Sequence, residues 1–133
     1  AGRIMNAQGH GSIVQFSSMY GVVAPHPELY EGMPVNPVHY GVAKAGVLQL
    51  VKYQAAIMGP AGVRVNAIIP GPFPFKSLQD TDPRFIERLS GQTMLGRIGD
   101  NDEIAGAVVY LLSDASTYVT GTQITVDGGW TAW

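Results

Sequence analysis

Tyr40 and Lys44, four residues apart, are the first place in this chain where chemistry can be read. In a helix that spacing puts both side chains on one face. An ammonium group beside a phenol favours the phenolate, so such a tyrosine can exchange a proton with an alcohol or carbonyl oxygen. A serine hydroxyl at the end of the preceding strand could hold the same oxygen, since strand ends are where open α/β sheets place their ligands. Taken alone, a Tyr-x-x-x-Lys pair is a weak signal and is more often an ordinary surface pair.

The elements that would position these groups follow from periodicity. Ser12–Ser18 (SIVQFSS) is a short β-prone run after a glycine turn and fits a largely buried parallel strand. Residues 19–37 carry Gly21, Pro25, Pro27, Gly32, Pro34 and Pro37, which exclude a continuous helix or a central strand. From Val38 to about Met58 the pattern is helical, with Val47, Leu48, Val51 and Ala55 as its apolar stripe and Gly59-Pro60 as its stop. Val63–Ile69 reads as a second strand ended by Pro70-Gly71-Pro72, and a loop is expected to about Asp80. Asp82-Pro83 opens a short helix, and Asp100 with Glu103 caps another whose stripe is Ile104, Val108, Leu111 and Leu112. Gln123–Val126 is the last strand. Strands alternating with helices predict an α/β fold, part of a doubly wound parallel sheet of about three strands with flanking helices.

Bulk properties narrow the function. At 133 residues the chain is long enough for one domain with a sizeable core. A share of 46% apolar and 14% charged residues suits a globular protein rather than a disordered one. The net charge of −2, with arginines and lysines scattered singly, gives no footprint for nucleic acid. No apolar run has the length of a membrane span. The absence of cysteine excludes disulfides and thiolate metal sites and is compatible with the cytoplasm. Three histidines without convergent carboxylates make no case for a metal. The chain opens at Ala1 without a methionine, and Ala1–Gln8 reads as the tail of something already under way, closed by a helix end at Gly9-His10-Gly11.

Four ordered motifs then carry a resemblance. SIVQFSS, Y-G-V-A-K-A-G, V-R-V-N-A-I-I-P-G and T-G-T-Q-I-T-V-D-G-G, spread over 11–129, resemble the short-chain dehydrogenase/reductase family. The resemblance implies an oxidoreductase that interconverts an alcohol and a carbonyl with NAD or NADP. By that likeness Ser18 orients the substrate, Tyr40 is the acid/base, and Lys44 also holds the nicotinamide ribose. Ser17 is the alternative serine, because neighbours on a strand face opposite sides. Tyr40, Lys44, Pro70, Gly71 and Phe73 are the expected cofactor contacts, and Met19, Tyr20 and Tyr30 the expected substrate-loop residues. Asn66 and Asp127 match positions read as structural.

The chain also departs from the family pattern. Its glycine-rich pyrophosphate turn, the first strands of the sheet and the helix asparagine of the proton relay are absent from these residues. The chain is therefore expected to be a catalytic C-terminal half (1–133, one domain) that lacks the dinucleotide-binding portion and is inactive alone. The other reading is a non-catalytic remnant kept as an assembly module. The connection from Ser18 to Tyr40 is longer than usual in the family, and Phe73, Pro74 and Phe75 stand where a hydroxyl-bearing residue is common. The insertion and the ending DGGWTAW are similar to a subgroup of bacterial flagellin and surface-sugar modification, which implies a small sugar or nucleotide-sugar substrate. His26, Glu28, Tyr30 and Glu31 could line its entrance, or stand as solvated loop residues. Trp130 and Trp133 could pack at a subunit contact or over the site, the plainer reading being packing. Met19–Val23 and the long-helix stripe could serve a homo-oligomer, with simple core packing as the alternative. A half-sheet with an open edge also predicts association or poor solubility.

Overall fold

Strand β2 (Val63–Pro70) is the element on which the rest is assembled. The computed structural model, which describes residues 1–133, pairs it with β1 (Gly11–Phe16) on one side and β3 (Gln123–Val126) on the other, all parallel. Phe16 lies opposite Ile68 and Pro70 opposite Val126, so the strand ends line up on one side of the sheet. A central parallel strand is covered on both faces, and Val63, Val65, Ala67, Ile68 and Ile69 are all buried.

Helix α2 (Val38–Met58) crosses from β1 to β2 and buries Val51, Ala55 and Met58 against Val63, Val65 and Ala67. Leu48 packs at the margin of the same cluster. Val51, Ala55 and Leu48 of the expected stripe therefore pack in this chain's own core, the core-packing alternative of its two readings. Helix α1 (Gly2–Gln8) ends at Gly9, whose φ of 75° is the left-handed cap the sequence predicts.

On the opposite face of β2, Arg64 and Asn66 meet α5 (Ala105–Leu112) and the loop behind it. The Asn66 amide donates to the Val119 carbonyl (2.8 Å) and accepts from Thr122 N (3.2 Å). Arg64 donates to the carbonyls of Leu111 (2.9 Å) and Ser113 (3.2 Å) and to Ser116 Oγ (2.9 Å). A guanidinium at a helix C-terminus meets both the open carbonyls and the negative end of the dipole. Leu111 is fully buried, whereas Leu112, the last residue of the expected stripe, is exposed as the helix ends.

Three boundaries differ from expectation. β1 ends at Phe16; Ser17 keeps one ladder bond (its N–H to the Ile68 carbonyl, 2.9 Å), and the chain then turns through Met19–Gly21. The expected loop before Asp80 contains a short helix, α3 (Lys76–Thr81), supported by the Lys76–Asp80 pair at 3.1 Å. Its aromatic and proline approach, FPF, hid the helical spacing. α4 (Pro83–Gly91) starts as predicted, with Asp82 Oδ1 accepting from Phe85 N at 3.0 Å. In the predicted cap before α5, Glu103 accepts from Asp100 N at 2.8 Å, opening a 3-10 turn over Asn101–Ile104. No helix is long and apolar enough to cross a membrane.

A second core lies beyond the strand ends. Met19, Tyr20, Leu29, Phe85, Leu89 and Trp130 bury one another there. Met19 and Tyr20 are thus interior, as the core-packing alternative for Met19–Val23 has it; Val22 is the exposed member. Trp130 is packing, while Trp133 is exposed.

Candidate active site

The serine turn is seated on α2 by two close approaches that only glycine permits. A Cβ on Gly21 would stand 2.8 Å from Ser17 Oγ and 2.9 Å from the Lys44 carbonyl carbon. One on Gly41 would stand 2.9 Å from the Tyr20 carbonyl oxygen. The first turns of α2, which carry Tyr40 and Lys44, are therefore pressed against the end of β1.

The two serines divide as strand alternation predicts. Ser17 Oγ donates to the Lys44 carbonyl at 2.8 Å and fastens the turn to the helix. Ser18 lines a cleft of about 320 Å³. Its Oγ accepts from Tyr20 N at 3.2 Å, which leaves its own O–H free to donate.

Tyr40 lines the same cleft, half-buried against the second core. Lys44 Nζ lies 5.6 Å from the centre of the Tyr40 ring, so the two share a helix face as their spacing requires. That ammonium donates to the Phe16 carbonyl at 3.1 Å; a lysine carries three donors, and others remain for a ligand.

The opposite wall comes from the end of β2. Gly71, Pro72, Phe73 and Pro74 line the cleft, and Pro70 precedes them as the last residue of the strand. Gly71 is bound by its N–H to the Val126 carbonyl at 2.9 Å, and a Cβ there would stand 2.5 Å from Asp127 Cα. Asp127 is structural, as expected: its carboxylate accepts from Gly129 N (2.9 Å), Thr131 N (2.8 Å) and Thr131 Oγ1 (2.7 Å).

The expected substrate-loop residues Met19, Tyr20 and Tyr30 all reach the cleft. Of the entrance group only Tyr30 does; His26, Glu28 and Glu31 are solvated. Tyr20 Oη and Tyr30 Oη are hydrogen-bonded at 2.7 Å. Burial, then the bond to Tyr30, pushes the Tyr20 hydroxyl well above the usual phenol range, and burial raises that of Tyr30. Sequence reasoning missed Asn36, Met33, Leu78, Phe85 and Leu89 as cleft residues. The apolar spacing of Phe85 and Leu89 in a capped helix was visible, but not what that helix would face.

The arrangement offers hydroxyl donors and a phenol beside an ammonium, at the shared end of parallel strands. Comparison with known proteins agrees with it. A family model described as enoyl-(acyl carrier protein) reductase matches residues 1–131. The chain is 37% identical to L-rhamnose 1-dehydrogenase (NAD(P)(+)) of Azotobacter vinelandii, over 97% of this chain and 48% of that protein. It is 38% identical to galactitol 2-dehydrogenase (L-tagatose-forming) of Cereibacter sphaeroides, over 99% of this chain and 50% of that protein. The chain spans about half the length of the curated relatives it matches. Among solved structures, a short-chain dehydrogenase from Leptospira borgpetersenii with bound NAD+ superposes with a TM-score of 0.85 at 36% identity, covering 98% of this chain and 48% of that one. A gluconate 5-dehydrogenase from Burkholderia cenocepacia, in complex with NADP and tartrate, gives 0.85 at 32% identity, over 98% and 49%.

Proposed function

This chain belongs to the short-chain dehydrogenase/reductase family, and on that footing we propose that it is the catalytic portion of an NAD(P)-dependent oxidoreductase acting on a secondary alcohol of a sugar or polyol. The observation that carries the reading is the convergence of Ser18 and Tyr40 on one cleft, with Lys44 beside the Tyr40 ring.

The donor set fits the nicotinamide end of such a cofactor. Lys44 and Tyr40 would hold the ribose hydroxyls, and the Pro70-Gly71 turn with Phe73 would flank the nicotinamide. Nothing in these residues resembles the glycine turn that takes a pyrophosphate at a helix N-terminus. We therefore assign 1–133 to a C-terminal catalytic portion that is completed by a dinucleotide-binding portion and is inactive without it. The bound cofactor supplies the hydride acceptor for alcohol oxidation, or the donor for the reverse reaction.

The chain's own groups handle the proton. In oxidation the Tyr40 phenolate takes the substrate O–H proton as the C–H hydrogen leaves as hydride, and the carbon becomes a carbonyl. In reduction the phenol returns that proton to the oxygen. The Lys44 ammonium stabilises the phenolate, and the open Ser18 O–H donates to the reacting oxygen.

Two of the relatives are named for L-rhamnose and galactitol, which supports a sugar or polyol substrate, the class that the insertion also suggests. A link to surface-sugar modification would be one setting for such an enzyme, and a cytoplasmic location would give it access to the dinucleotide pool. The exposed Val38, Val42, Tyr53 and Ile57 on α2, with the unpaired outer edge of β3, support a homo-oligomer.

The test is direct. The enzyme with its dinucleotide-binding portion is mixed with NAD+ or NADP+ and galactitol, D-mannitol or L-rhamnose, and nicotinamide reduction is followed by absorbance. Reduction with at least one of these supports the proposal. No reduction with any of them, nor with cyclohexanol, would refute it.

A further inference from the structure

The cleft has a second polar end that the proton chemistry leaves unused. Part of residues 19–37, the insertion between Ser18 and Tyr40, is held as a wall: Met19, Tyr20 and Leu29 are buried, while His26, Glu28 and Glu31 stay in solvent. Leu29 is buried in the second core, Arg88 Nε donates to its carbonyl at 2.8 Å, and the Tyr30 and Phe85 rings lie 5.7 Å apart. Arg88 itself sits over the Phe85 ring, so the anchor is braced from the far side.

Across the cleft mouth this wall sets the Tyr20–Tyr30 hydroxyl pair. Two phenols hydrogen-bonded to each other use one proton between them, whichever donates, and keep one O–H and free lone pairs. Neither hydroxyl has another protein partner. The half-buried Asn36, whose amide makes no hydrogen bond within the chain, lines the same cleft. The remaining surface is apolar or aromatic, with no lysine, arginine, aspartate or glutamate on it. A carboxylate or phosphate against this wall would lose water without a cation among the lining residues to meet it, whereas a neutral carbon skeleton with hydroxyls meets apolar walls and a hydroxyl pair.

We propose that Tyr30, oriented by Tyr20, is the specificity-determining residue of this cleft: it hydrogen-bonds a hydroxyl of a neutral polyol or sugar at a carbon other than the one oxidised. This rests on the activity proposed above and narrows its substrate class, setting aside nucleotide-sugars and sugar acids. Tyr40 and Ser18 address the reacting oxygen, and Tyr30 addresses a second oxygen on the same molecule.

The experiment uses the enzyme with its dinucleotide-binding portion. Its substrates are galactitol, D-mannitol and L-rhamnose as neutral polyhydroxy compounds, gluconate as the anionic counterpart, and cyclohexanol as an alcohol without a second hydroxyl. Tyr30→Phe keeps the ring against Phe85 and is expected to raise KM for the preferred neutral compound about tenfold, the worth of one hydrogen bond, with kcat little changed. KM for cyclohexanol should stay as it was. Tyr20→Phe keeps the Tyr30 hydroxyl but frees it, and should raise the same KM by a smaller factor, about threefold. An unchanged KM for the neutral compound in Tyr30→Phe, or an equal rise for cyclohexanol, would overturn the role of Tyr30. Gluconate turnover as efficient as that of the neutral compounds would overturn the substrate class. No turnover of any alcohol by the unmodified enzyme would bring down the proposed activity itself, and this assignment with it.

Discussion

Two polar regions of this molecule lie on the same sheet and treat hydrogen bonding in opposite ways. Behind β2, Asn66 is fully buried and its amide is engaged at both ends, to Val119 and Thr122, while Arg64 holds the carbonyls at the end of α5. At the strand ends, Ser18, Asn36 and the Tyr20–Tyr30 pair line the cleft, with the Ser18 O–H, the Asn36 amide and one O–H of the pair left open. The first region behaves as fold chemistry should, since a buried polar group without a partner is costly. In the second, open donors are tolerable because the cleft admits water or a ligand. The division even runs between neighbours: Ser17 is tied to the Lys44 carbonyl and Ser18 is not tied to any acceptor. Side chains of similar type are scaffold or reagent according to whether their hydrogen bonds are already made.

The contrast can be broken at either region, and the largest effect is expected at the cleft. Tyr40→Phe removes the group proposed to exchange the proton and should lower kcat by about 10²–10⁴-fold. The fluorescence of bound NADH should report an affinity within a few-fold of the parent, because Lys44 and the Pro70-Gly71 turn remain. A loss of binding as large as the loss of turnover would leave Tyr40 a cofactor contact alone and remove it from the proton chemistry.

Next come two stability effects. Asn66→Ala leaves the Val119 carbonyl and the Thr122 N–H without their partner and should cost about 1–3 kcal/mol in urea unfolding. Turnover per folded molecule should hold. Gly21→Ala puts a methyl group against Ser17 Oγ and the α2 backbone, so one or the other must move. A similar loss of about 1–3 kcal/mol is expected. In this case turnover should fall as well, since the same contact seats the serine turn on the helix that carries Tyr40 and Lys44. Loss of stability without loss of turnover in Gly21→Ala would show that the serine turn tolerates displacement.

The smallest effect belongs to the exposed Arg97–Glu103 pair at 2.6 Å. The Arg97 hydrogen bond first, then the Asp100 N–H, lowers the Glu103 carboxyl from 4.5 to about 2. A carboxylate depressed on folding adds stability that is present above its unfolded value and lost as pH falls through the folded one. The difference in unfolding midpoint between the parent and Glu103→Gln should therefore be present at neutral pH and shrink from pH 4.5 down to about 2. A difference that does not change across that window would exclude the pair as its source.

Much of this was legible in the sequence because it is local. Gly59-Pro60 stops α2, Asp82-Pro83 starts α4, and the four-residue spacing of Tyr40 and Lys44 fixes their shared face whatever surrounds them. Period-two alternation likewise separated Ser17 from Ser18. What escaped depends on contacts between distant segments. Phe85 and Leu89 join the cleft because α4 folds back onto residues 19–37, and no spacing within either segment says so. The pairing of Tyr20 with Tyr30 bridges a proline-rich stretch whose path periodicity cannot give. Trp130 was ambiguous for the same reason: a terminal aromatic has no partner until the chain closes over it. α3 was lost to its approach, where Phe73, Pro74 and Phe75 read as loop and only the Lys76–Asp80 spacing spoke for a helix.

The measurement that bears most directly on the account is kcat/KM for Ser18→Ala set beside Ser17→Ala in the completed enzyme, with thermal unfolding of both. Ser18→Ala should lose about 10²-fold in kcat/KM with little change in stability, as removal of a donor aimed at a reacting oxygen does. Ser17→Ala should lose about 1 kcal/mol of stability and keep most of its turnover. Equal losses of turnover in the two variants, or the larger loss in Ser17→Ala, would contradict the claim that open hydrogen bonds mark the catalytic side of this fold.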